Sequence, residues 1–539
     1  MANLATIDLS IIILYFIATI SIGLFYSRKQ SDNSESFFLA GRSLGWIAIG
    51  ASLFAANISS EHFIGLAGLG AAHGLAVGSF EWLAVFWLIL LGWLFAPLFL
   101  REKVFTIPQF LEKRFGRAVK KYLAGISIFA YILTKISVTL YAGGLLLKYV
   151  FDWDLYTSTM VMVLLTGIYT IVGGLTAVVY TSVFQTFVLI VGTLLVTGFG
   201  LQAVGGFTAL KAQLPADFFT MLKPASDPNF PWTGIVFGAP ILGVWYWCTD
   251  QYIVQRVLAA KNLNQARAGT VFAGFLKLTP IFLLVLPGMM AVLLFPGIKG
   301  DEAFPNLVAS SLLPVGVRGI VISGLLAALM SSLSSFFHST ATLFTIDFYL
   351  DRHPEVSQRK LVLVGRLTTM LIVLSAILWV PFTKLITTDL YIYLQSIQAY
   401  ISPPIAAVFL IGIFWKRING FGAFWTMVAG GVLGGVRLVL EILLRRGVDI
   451  WPGFLFVVRM HFLHFAVYLF GISVLLLILF SELYRYKKTA PDEAGGKLES
   501  FTIPELRTVW GQTFSTSPSI LLSSGVLVAS VIGLWLMFG

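Results

Sequence analysis

Apolar stretches of about 20 residues recur along this chain and constrain its fold more than any other feature. Three of them read IDLSIIILYFIATISIGLFY, WLAVFWLILLGWLFAPLFL and FLFVVRMHFLHFAVYLFGISVLLLILF. Each can cross the hydrocarbon core of a bilayer as a helix, which takes about 20 predominantly apolar residues. Of the 539 residues, 58% are hydrophobic and 11% are charged, whereas soluble domains carry about 25% charged residues. The sequence therefore predicts an all-α polytopic protein in a lipid bilayer.

Glycine, proline and charged residues divide the apolar sequence into about 14 predicted transmembrane helices. Their approximate limits are 6–26, 45–72, 76–100, 122–149, 155–173, 177–203, 233–254, 267–296, 311–345, 361–381, 386–415, 419–443, 453–483 and 518–538.

The short loops predict how the chain is oriented in a cell (plasma or inner) membrane. Loops rich in Lys and Arg, such as REKVFTIPQFLEKRFGRAVKK and QRVLAAKNLNQARAG, alternate with loops that are poor in both. Because Lys and Arg are retained on the cytoplasmic side, this alternation predicts that both termini lie on the outer side. Arg445 and Arg446 are exceptions, since they fall on the predicted outer side.

Ionisable residues within the predicted helices mark candidate functional positions. On insertion scales, each costs at least ~2.5 kcal/mol at membrane depth, so each is a functional hypothesis. Glu61 and His62 fall in the middle of a predicted helix, and Glu81 lies near the outer end of the next one. Lys277 lies within FAGFLKLTPIFLLVLPG and needs a partner or a polar cavity if it is buried as an ion.

Two polar segments are expected to interrupt otherwise apolar helices. AANISSEHFIG (55–65) is the first, and GVWYWCTDQY (243–252) follows five predicted spans later. Unwound backbone at membrane depth is tolerated only where it lines a cavity or is covered by protein. Paired broken helices point to the binding site of an inverted-repeat transporter, so we predict a solute site at these breaks. In the second break, Asp250 could pair with Arg256, about two helical turns away, as an internal brace.

A third polar group lies in LLAALMSSLSSFFHSTATLF, which contains Ser331 and Ser332. Serines in membrane helices commonly allow close packing or bond their own backbone. A sodium ion, however, needs hard oxygen ligands, which hydroxyls and carbonyls freed by unwinding provide. Ser331 and Ser332 would supply such ligands if they face the break near Asn57. Both interpretations of the serines, helix packing and ion binding, therefore stay open.

The sequence argues against enzymatic and nucleic-acid-binding functions. It contains no recognisable nucleophile–base pair, metal-ligating Cys/His cluster, phosphate-binding loop or basic patch for nucleic acid. Glu61 and His62 are adjacent, and they are expected to point to different faces of a helix. We therefore predict a transporter and not an enzyme.

Four blocks of the sequence together resemble the sodium/solute symporter family, and its sodium/glucose cotransporter branch most closely. In chain order they read GASLFAANISSEHFIGLAGLGAAHGLAVGSFEW, VWYWCTDQYIVQRVLAAKN, LMSSLSSFFHSTATLFTIDFY and YLQSIQAYISPPIAAVFLIGIFWKR. The resemblance covers roughly residues 6 to 483 and implies a LeuT-like five-plus-five inverted repeat. The implied divisions are a leading helix and cytoplasmic loop (1–44), the first repeat (45–205), an extracellular loop (206–232), the second repeat (233–415), and trailing helices (416–539) with a cytoplasmic linker near 484–517.

The resemblance also implies which residues form the sites of a symporter that couples inward sodium movement to the uptake of a neutral hexose. The implied sugar-site residues are Asn57, His62, Phe80, Glu81, Lys277 and Gln395, with Tyr246 closing the site from the cytoplasmic side. The implied sodium ligands are backbone oxygens of Ala55, Ile58 and Ala328 and the hydroxyls of Ser331 and Ser332. Ser182 stands where an Asp is common in relatives, and Gly243 and Lys135 replace amides found in some bacterial members.

The chemistry of the implied sugar site fits a neutral polyol. Glu81 can accept hydrogen bonds from hydroxyls, Lys277 can donate, and the amides of Asn57 and Gln395 can do both. Glu81 and Lys277 also neutralise each other, as a neutral substrate requires, which argues against carboxylate or amino-acid substrates. A sodium/myo-inositol symporter and a sugar-gated sensor or channel without coupled transport are the alternatives, and the oligomeric state is open.

Overall fold

The computed structural model describes residues 4–28, 33–59, 61–379, 390–487 and 517–538, and its regular structure is helical. Among these residues, the only β-type contacts are two isolated bridges, Leu44 with Ala260 and Lys223 with Pro231. A helix satisfies its backbone hydrogen bonds within one segment, which is what a chain in lipid requires. The predicted all-α class is confirmed.

The structure contains α-helices, short π-helical turns and short 3-10 turns. In chain order the α-helices are α1 (Thr6–Arg28), α2 (Ser34–Leu39), α3 (Trp46–Asn57), α4 (Ala67–His73), α5 (Gly78–Leu90), α6 (Ala96–Glu102), α7 (Ile107–Phe115), α8 (Arg117–Ala130), α9 (Ser137–Phe151), α10 (Leu155–Val204), α11 (Phe207–Gln213), α12 (Trp232–Phe237), α13 (Ala239–Gly243), α14 (Gln251–Leu258), α15 (Leu263–Leu276), α16 (Leu286–Leu294), α17 (Ala303–Ala309), α18 (Val317–Phe344), α19 (Leu350–Arg352), α20 (Gln358–Trp379), α21 (Leu390–Ala407), α22 (Gly420–Arg445), α23 (Pro452–Arg459), α24 (Phe462–Lys487) and α25 (Pro518–Phe538). The π-helical turns are His62–Leu66, Leu91–Phe95, Tyr131–Ile136, Val244–Thr249, Ile281–Val285, Thr345–Tyr349 and Val408–Gly412, and the 3-10 turns are Ala40–Arg42, Gly74–Val77, Ala216–Phe219 and Gly300–Glu302.

Eleven helical runs within the described residues are long and apolar enough to cross a membrane. They are Thr6–Arg28, His62–Glu102, Arg117–Gly144, Tyr156–Val204, Leu263–Leu294, Val317–Arg352, Gln358–Leu378, Leu394–Gly412, Gly420–Arg445, Phe462–Arg485 and Pro518–Phe538. The chain is therefore a multi-pass membrane protein, and the number of 14 stays a prediction.

The difference in number arises where helices are joined or interrupted. The predicted spans 155–173 and 177–203 form the single run α10, which is kinked at Gly174 with φ 51° and ψ −153°. Fifty helical residues would extend about 75 Å, more than twice the ~30 Å of a hydrocarbon core. This backbone conformation is readily available only to glycine, so Gly174 is where the chain changes direction.

One predicted span is wrong as a single helix. The stretch 453–483 is divided into α23 and α24 by Met460 and His461, and Met460 has extended backbone (φ −61°, ψ 137°). The apolar run FLFVVRMHFLHF carries no proline or glycine at this point, so hydropathy alone did not reveal the division.

α18 occupies the centre of the bundle and is buried along nearly its whole length. It packs along α10, and both helices contact α1 and α3. α15 packs against α3 and α5. This arrangement places the end of α3 between α18 on one side and the end of α15 on the other.

The segment between α10 and α12 serves as a landmark for one end of the bundle. It contains α11 and a 3-10 turn, and its final residues contact the start of α12 through the hydrogen bond from Trp232 N–H to the Lys223 carbonyl (3.2 Å). We call the end that carries this segment the long-loop end.

Candidate functional site

Two helices are interrupted in the segments that the sequence predicts. α3 ends at Asn57, and Ile58 leaves the helical conformation with φ −74° and ψ 106°. The chain becomes helical again through the π-helical turn His62–Leu66. In the second break, Asp250 has φ −74° and ψ 125° between the turn Val244–Thr249 and α14.

A lysine at the end of α15 joins the first break to α5. Lys277 Nζ donates a hydrogen bond to Asn57 Oδ1 at 2.6 Å and forms an ion pair with Glu81 Oε2. Asn57 Nδ2 in turn donates to the Tyr246 hydroxyl at 2.6 Å, linking the two breaks. Lys277 and Glu81 are only 1% and 3% exposed, so their opposite charges compensate each other in a region of low dielectric.

His62 provides a second contact to Glu81. The Ser59 backbone N–H donates to His62 Nδ1 at 3.3 Å, so Nδ1 acts as an acceptor and the proton of a neutral ring lies on Nε2. That nitrogen is 3.5 Å from Glu81 Oε1. Glu61 Oε1 lies 3.7 Å from His62 Nδ1. Both residues line the same cavity, so the prediction that Glu61 and His62 point to different faces of a helix is wrong. They follow directly after the break at Ile58, where the chain is not a continuous helix.

All seven predicted sugar-site residues line one cavity in the centre of the bundle. They are Asn57, His62, Phe80, Glu81, Tyr246, Lys277 and Gln395. The cavity has a volume of about 60 Å³ for the centres of water molecules. Since one water needs about 10–15 Å³ of such volume, the space holds a few waters, and a larger solute requires the surrounding side chains to move apart.

Aromatic rings cover the cavity towards the long-loop end. The ring of Phe80 lies 6.2 Å from that of Tyr391 and 6.5 Å from that of Phe230, which precedes α12. The ring of Tyr391 is also 6.1 Å from the His62 ring. On the other side, Tyr246 packs against Tyr252 with their ring centroids 5.7 Å apart.

Sequence reasoning missed several residues that line this cavity. Tyr391 lies four residues before the predicted Gln395, and Gln398 lies three residues after it. These helical spacings place all three residues on the same face. Trp87 was also missed. An added Cβ at Gly243 would lie 2.3 Å from Trp87 Nε1, so the absence of a side chain at Gly243 makes room for this ring.

A buried ion pair lies next to Tyr246. It contains Asp250, whose partner is not the predicted arginine. Asp250 Oδ2 is 2.7 Å from Lys135 Nζ, and its other oxygen accepts a hydrogen bond from the Tyr131 hydroxyl. Lys135 Nζ also lies 4.0 Å from the Tyr252 ring centroid and 4.5 Å from that of Tyr246.

The predicted brace between Asp250 and Arg256 is wrong. Arg256 Nε donates to the Ser52 carbonyl at 3.1 Å, and Nη2 donates to Ser335 Oγ at 2.5 Å. Arg256 therefore ties α14 to α3 and α18. Sequence separation suggested the brace, but the break at Asp250 turns its carboxylate towards Lys135.

Of the predicted sodium ligands on α18, Ser332 approaches the first break, whereas the hydroxyl of Ser331 contacts α10. Ser332 Oγ lies 3.3 Å from the Ala56 carbonyl oxygen and 3.4 Å from that of Ile58. The adjacent Ser331 Oγ lies 2.9 Å from Ser182 Oγ. Ala55 and Ala328 are fully buried in α3 and α18.

The fold and this arrangement agree with the results of sequence comparison. The profile of the sodium:solute symporter family matches residues 37–430. The chain belongs to the sodium:solute symporter family, whose members are transporters and not enzymes. Membership implies sodium as the coupling ion.

Similar proteins include transporters that are named for two different solutes. Sodium/glucose cotransporter 1 of Oryctolagus cuniculus is 40% identical over 530 residues, which cover 90% of this chain and 80% of the relative. The sodium/myo-inositol cotransporter of Canis lupus familiaris is 41% identical over 531 residues, which cover 89% and 74% of the two chains. These relatives bear out the resemblance, and the specific solute is a separate question.

Solved structures show the same fold at low sequence identity. The substrate-bound outward-open state of a Na⁺-coupled sialic acid symporter has a TM-score of 0.74 at 21% identity, covering 89% of this chain and 98% of that one. A nucleobase-cation-symport-1 family transporter in a closed conformation has a TM-score of 0.54 at 14% identity, covering 90% and 97%. The predicted LeuT-like fold is confirmed.

Proposed function

We propose that this protein couples inward sodium movement to the uptake of a neutral hexose by alternating access. The observation that carries the proposal is the compensated pair of Lys277 and Glu81 beside Asn57 in the central cavity. Lys277 and Glu81 compensate each other's charge, and together with Asn57 they donate and accept hydrogen bonds, which suits a solute whose hydroxyls do both. The rings of Phe80 and Tyr246 supply apolar surfaces for the C–H faces of a sugar.

Sodium binding between α3 and α18 is supported by the spacing of the oxygens. Two ligands at about 2.4 Å from an ion, a distance common for calcium and oxygen, are about 3.4 Å apart when they meet at a right angle. Ser332 Oγ is 3.4 Å from the carbonyl oxygen of Ile58, a proposed ligand, and 3.3 Å from that of Ala56, which precedes the break and is not in the proposed set. Both distances are longer than the 2.7–2.8 Å of a typical O–H···O bond. The proposed ligands are the carbonyls of Ala55, Ile58 and Ala328 with the two serine hydroxyls.

We place the long-loop end outside the cell membrane, with both termini on the outer side. The support is the alternation of basic loops along the sequence. In this orientation Phe80, Tyr391 and Phe230 cover the cavity from the outside, and Tyr246 closes it from the cytoplasm.

Myo-inositol is the second candidate solute, because one relative is named for it and a cyclic polyol offers the same hydroxyl chemistry. A sensor or channel without coupled transport is not favoured, because the similar proteins are named as cotransporters. The test is uptake of radiolabelled glucose, galactose and myo-inositol into proteoliposomes under an inward sodium gradient, with an equal potassium gradient as the control. We expect the hexoses to accumulate only with sodium, whereas accumulation of inositol alone would reject the hexose proposal.

We predict that one sodium ion enters with each sugar. A second cation near Ser182 and Ser334 would find only neutral oxygens, because Ser182 lacks a carboxylate and its hydroxyl contacts Ser331 at 2.9 Å. Ser334 Oγ also donates to the Ser331 carbonyl at 2.9 Å. The proposed first site also has neutral oxygens, but the break at Ile58 frees backbone carbonyls for it. Ser182 and Ser334 lie inside α10 and α18, so a second cation there would lack both freed carbonyls and a counter-charge, which is unfavourable in low dielectric.

The reversal potential of the sugar-dependent current measures this stoichiometry. With one charge per sugar it should shift by about 59 mV per tenfold change in the sugar gradient, and with two charges by about 30 mV. At 100 mV one charge supplies ~2.3 kcal/mol, and a tenfold sodium gradient adds about 1.4 kcal/mol, so one sodium concentrates sugar roughly 500-fold. Ser334→Ala should give the same slope as the unmodified protein, and a slope near 30 mV would reject the single site.

A further inference from the structure

A second, larger space lies at the long-loop end, outside the central cavity. It is a groove of about 700 Å³ between α12, α23 and the first half of α24, and it shares no lining residue with the central cavity. Such a volume falls in the range of ligand sites, which are roughly 300–1,000 Å³. Its walls are mainly apolar and include Phe237, Leu455, Phe456 and Val467.

Hydrogen bonds hold the walls of this groove in place. The Thr233 hydroxyl of α12 lies 2.8 Å from His464 Nε2 of α24. His461 Nε2 lies 3.1 Å from the Asn229 carbonyl oxygen. At the other wall, Arg437 of α22 donates from Nη2 to the Met460 carbonyl at 2.6 Å, beside the end of α23. These contacts join the walls of the groove to α12, α22 and α24.

The surroundings of the groove have the character of a membrane–water interface. Phe237, Phe456 and Tyr468 are 58%, 70% and 60% exposed along its rim. Trp451 precedes α23 and is 70% exposed, and Trp232 begins α12 and is 42% exposed. Exposed tryptophan and tyrosine are typical of the level of lipid headgroups, so the groove opens towards lipid close to that level.

A cation without a protein partner lies on the wall of the groove. Arg459, the last residue of α23, is exposed, and its side chain forms no ion pair or hydrogen bond with the described residues. At the same end of the bundle, Arg446 follows α22 and is also exposed, one of the two arginines that depart from the pattern of basic loops. A positive charge beside an apolar groove complements a molecule with an anionic head and an apolar chain.

We propose that this groove binds a phospholipid with an anionic headgroup. One acyl chain lies along Phe237, Leu455 and Val467, and the headgroup phosphate accepts hydrogen bonds from the Arg459 guanidinium, whose planar donors match phosphate oxygens. The bound lipid joins α12, which leads into the second break, to the trailing helices α23 and α24.

Native mass spectrometry of the purified full chain tests this assignment. The protein is titrated with palmitoyl-oleoyl phosphatidylglycerol or with phosphatidylcholine carrying the same chains. Arg459→Gln should weaken phosphatidylglycerol binding at least tenfold, whereas Arg446→Gln, which removes an arginine outside the groove, should stay within twofold of the unmodified protein. Val467→Trp fills the groove and should weaken the binding of both lipids.

Three results would overturn the assignment. The first is unchanged phosphatidylglycerol binding by Arg459→Gln, and the second is equal affinity of the unmodified protein for the two lipids. The third is a dimer that Val467→Trp disperses, because a second copy of the chain would then occupy the groove. Thermal unfolding of each variant, followed by tryptophan fluorescence, verifies that the proteins compared are folded.

Discussion

Replacing Glu81 by glutamine is expected to lower the apparent affinity for the transported sugar by about 10- to 150-fold. The carboxylate is buried and contacts Lys277 through one oxygen and His62 through the other. A hydrogen bond to a charged group contributes about 1.5–3 kcal/mol, and each 1.4 kcal/mol corresponds to tenfold in affinity. Glutamine keeps the shape of the side chain, so the effect isolates the loss of charge and of one acceptor. Glu81→Ala should be more severe, because it also removes the remaining side-chain oxygen and with it every hydrogen bond from this position to Lys277 and the sugar.

The measurement is the sugar concentration that gives half-maximal sodium-dependent uptake in proteoliposomes. Glu355→Gln is the matched control, because it removes an exposed carboxylate between α19 and α20 and should leave the uptake curve unchanged. An unaltered elution profile on size-exclusion chromatography establishes that Glu81→Gln is folded. Normal sugar affinity in this variant would remove Glu81 from the substrate site.

Ser332→Ala is expected to lower the apparent affinity for sodium by about five- to 150-fold, corresponding to 1–3 kcal/mol for one lost buried oxygen ligand. Its hydroxyl approaches two carbonyl oxygens at the end of α3, and alanine removes that oxygen alone. At saturating sodium, sugar affinity should return close to that of the unmodified protein, because Ser332 does not line the central cavity.

Ser323→Ala provides a control on the same helix. Ser323 is equally buried in α18, but its hydroxyl donates to the Gly319 carbonyl of its own helix at 2.8 Å, so its removal should leave sodium affinity within twofold. Ser331→Ala tests separately whether the neighbouring hydroxyl, which contacts Ser182, also takes part in sodium binding. If Ser332→Ala retains the sodium affinity of the unmodified protein, the ion binds elsewhere.

The two proposed sites meet at neighbouring residues of a single break. The Asn57 side chain contacts Lys277 and Tyr246 on the cavity side, while the next carbonyl, that of Ile58, faces Ser332. An ion that fixes this carbonyl also fixes the backbone that carries Asn57. Sodium binding can therefore affect sugar binding through the local conformation of the break alone, and no chain of contacts across the bundle is required.

Much of this architecture could be predicted from the sequence because membranes restrict the choices. Apolar length identified helices such as α1, α20 and α25, and polar residues within apolar segments located both breaks. These signals are strong because unpaired backbone and charged groups are costly in lipid. The seven cavity residues came from the family resemblance, and they do line one cavity.

The errors arose where the local backbone departs from a regular helix. Glu61 and His62 follow directly after the break at Ile58 and line the same cavity, although a regular helix would turn adjacent residues to different faces. Because the backbone at Asp250 is extended, the Asp250 carboxylate pairs with Lys135 and not with the expected Arg256. α23 and α24 are separate helices in a continuously apolar stretch, which hydropathy cannot divide. Each of these features depends on contacts between distant segments.

The most direct test is the mutual dependence of sodium and sugar binding in the purified protein. Titration calorimetry gives the sugar dissociation constant in sodium and in potassium, and the sodium dissociation constant with and without sugar. Thermodynamic linkage requires the two ratios to be equal, and we predict that sodium strengthens sugar binding at least about fivefold, the lower range of typical coupling. Identical sugar affinity in sodium and potassium would contradict coupling through the break at Asn57 and Ile58.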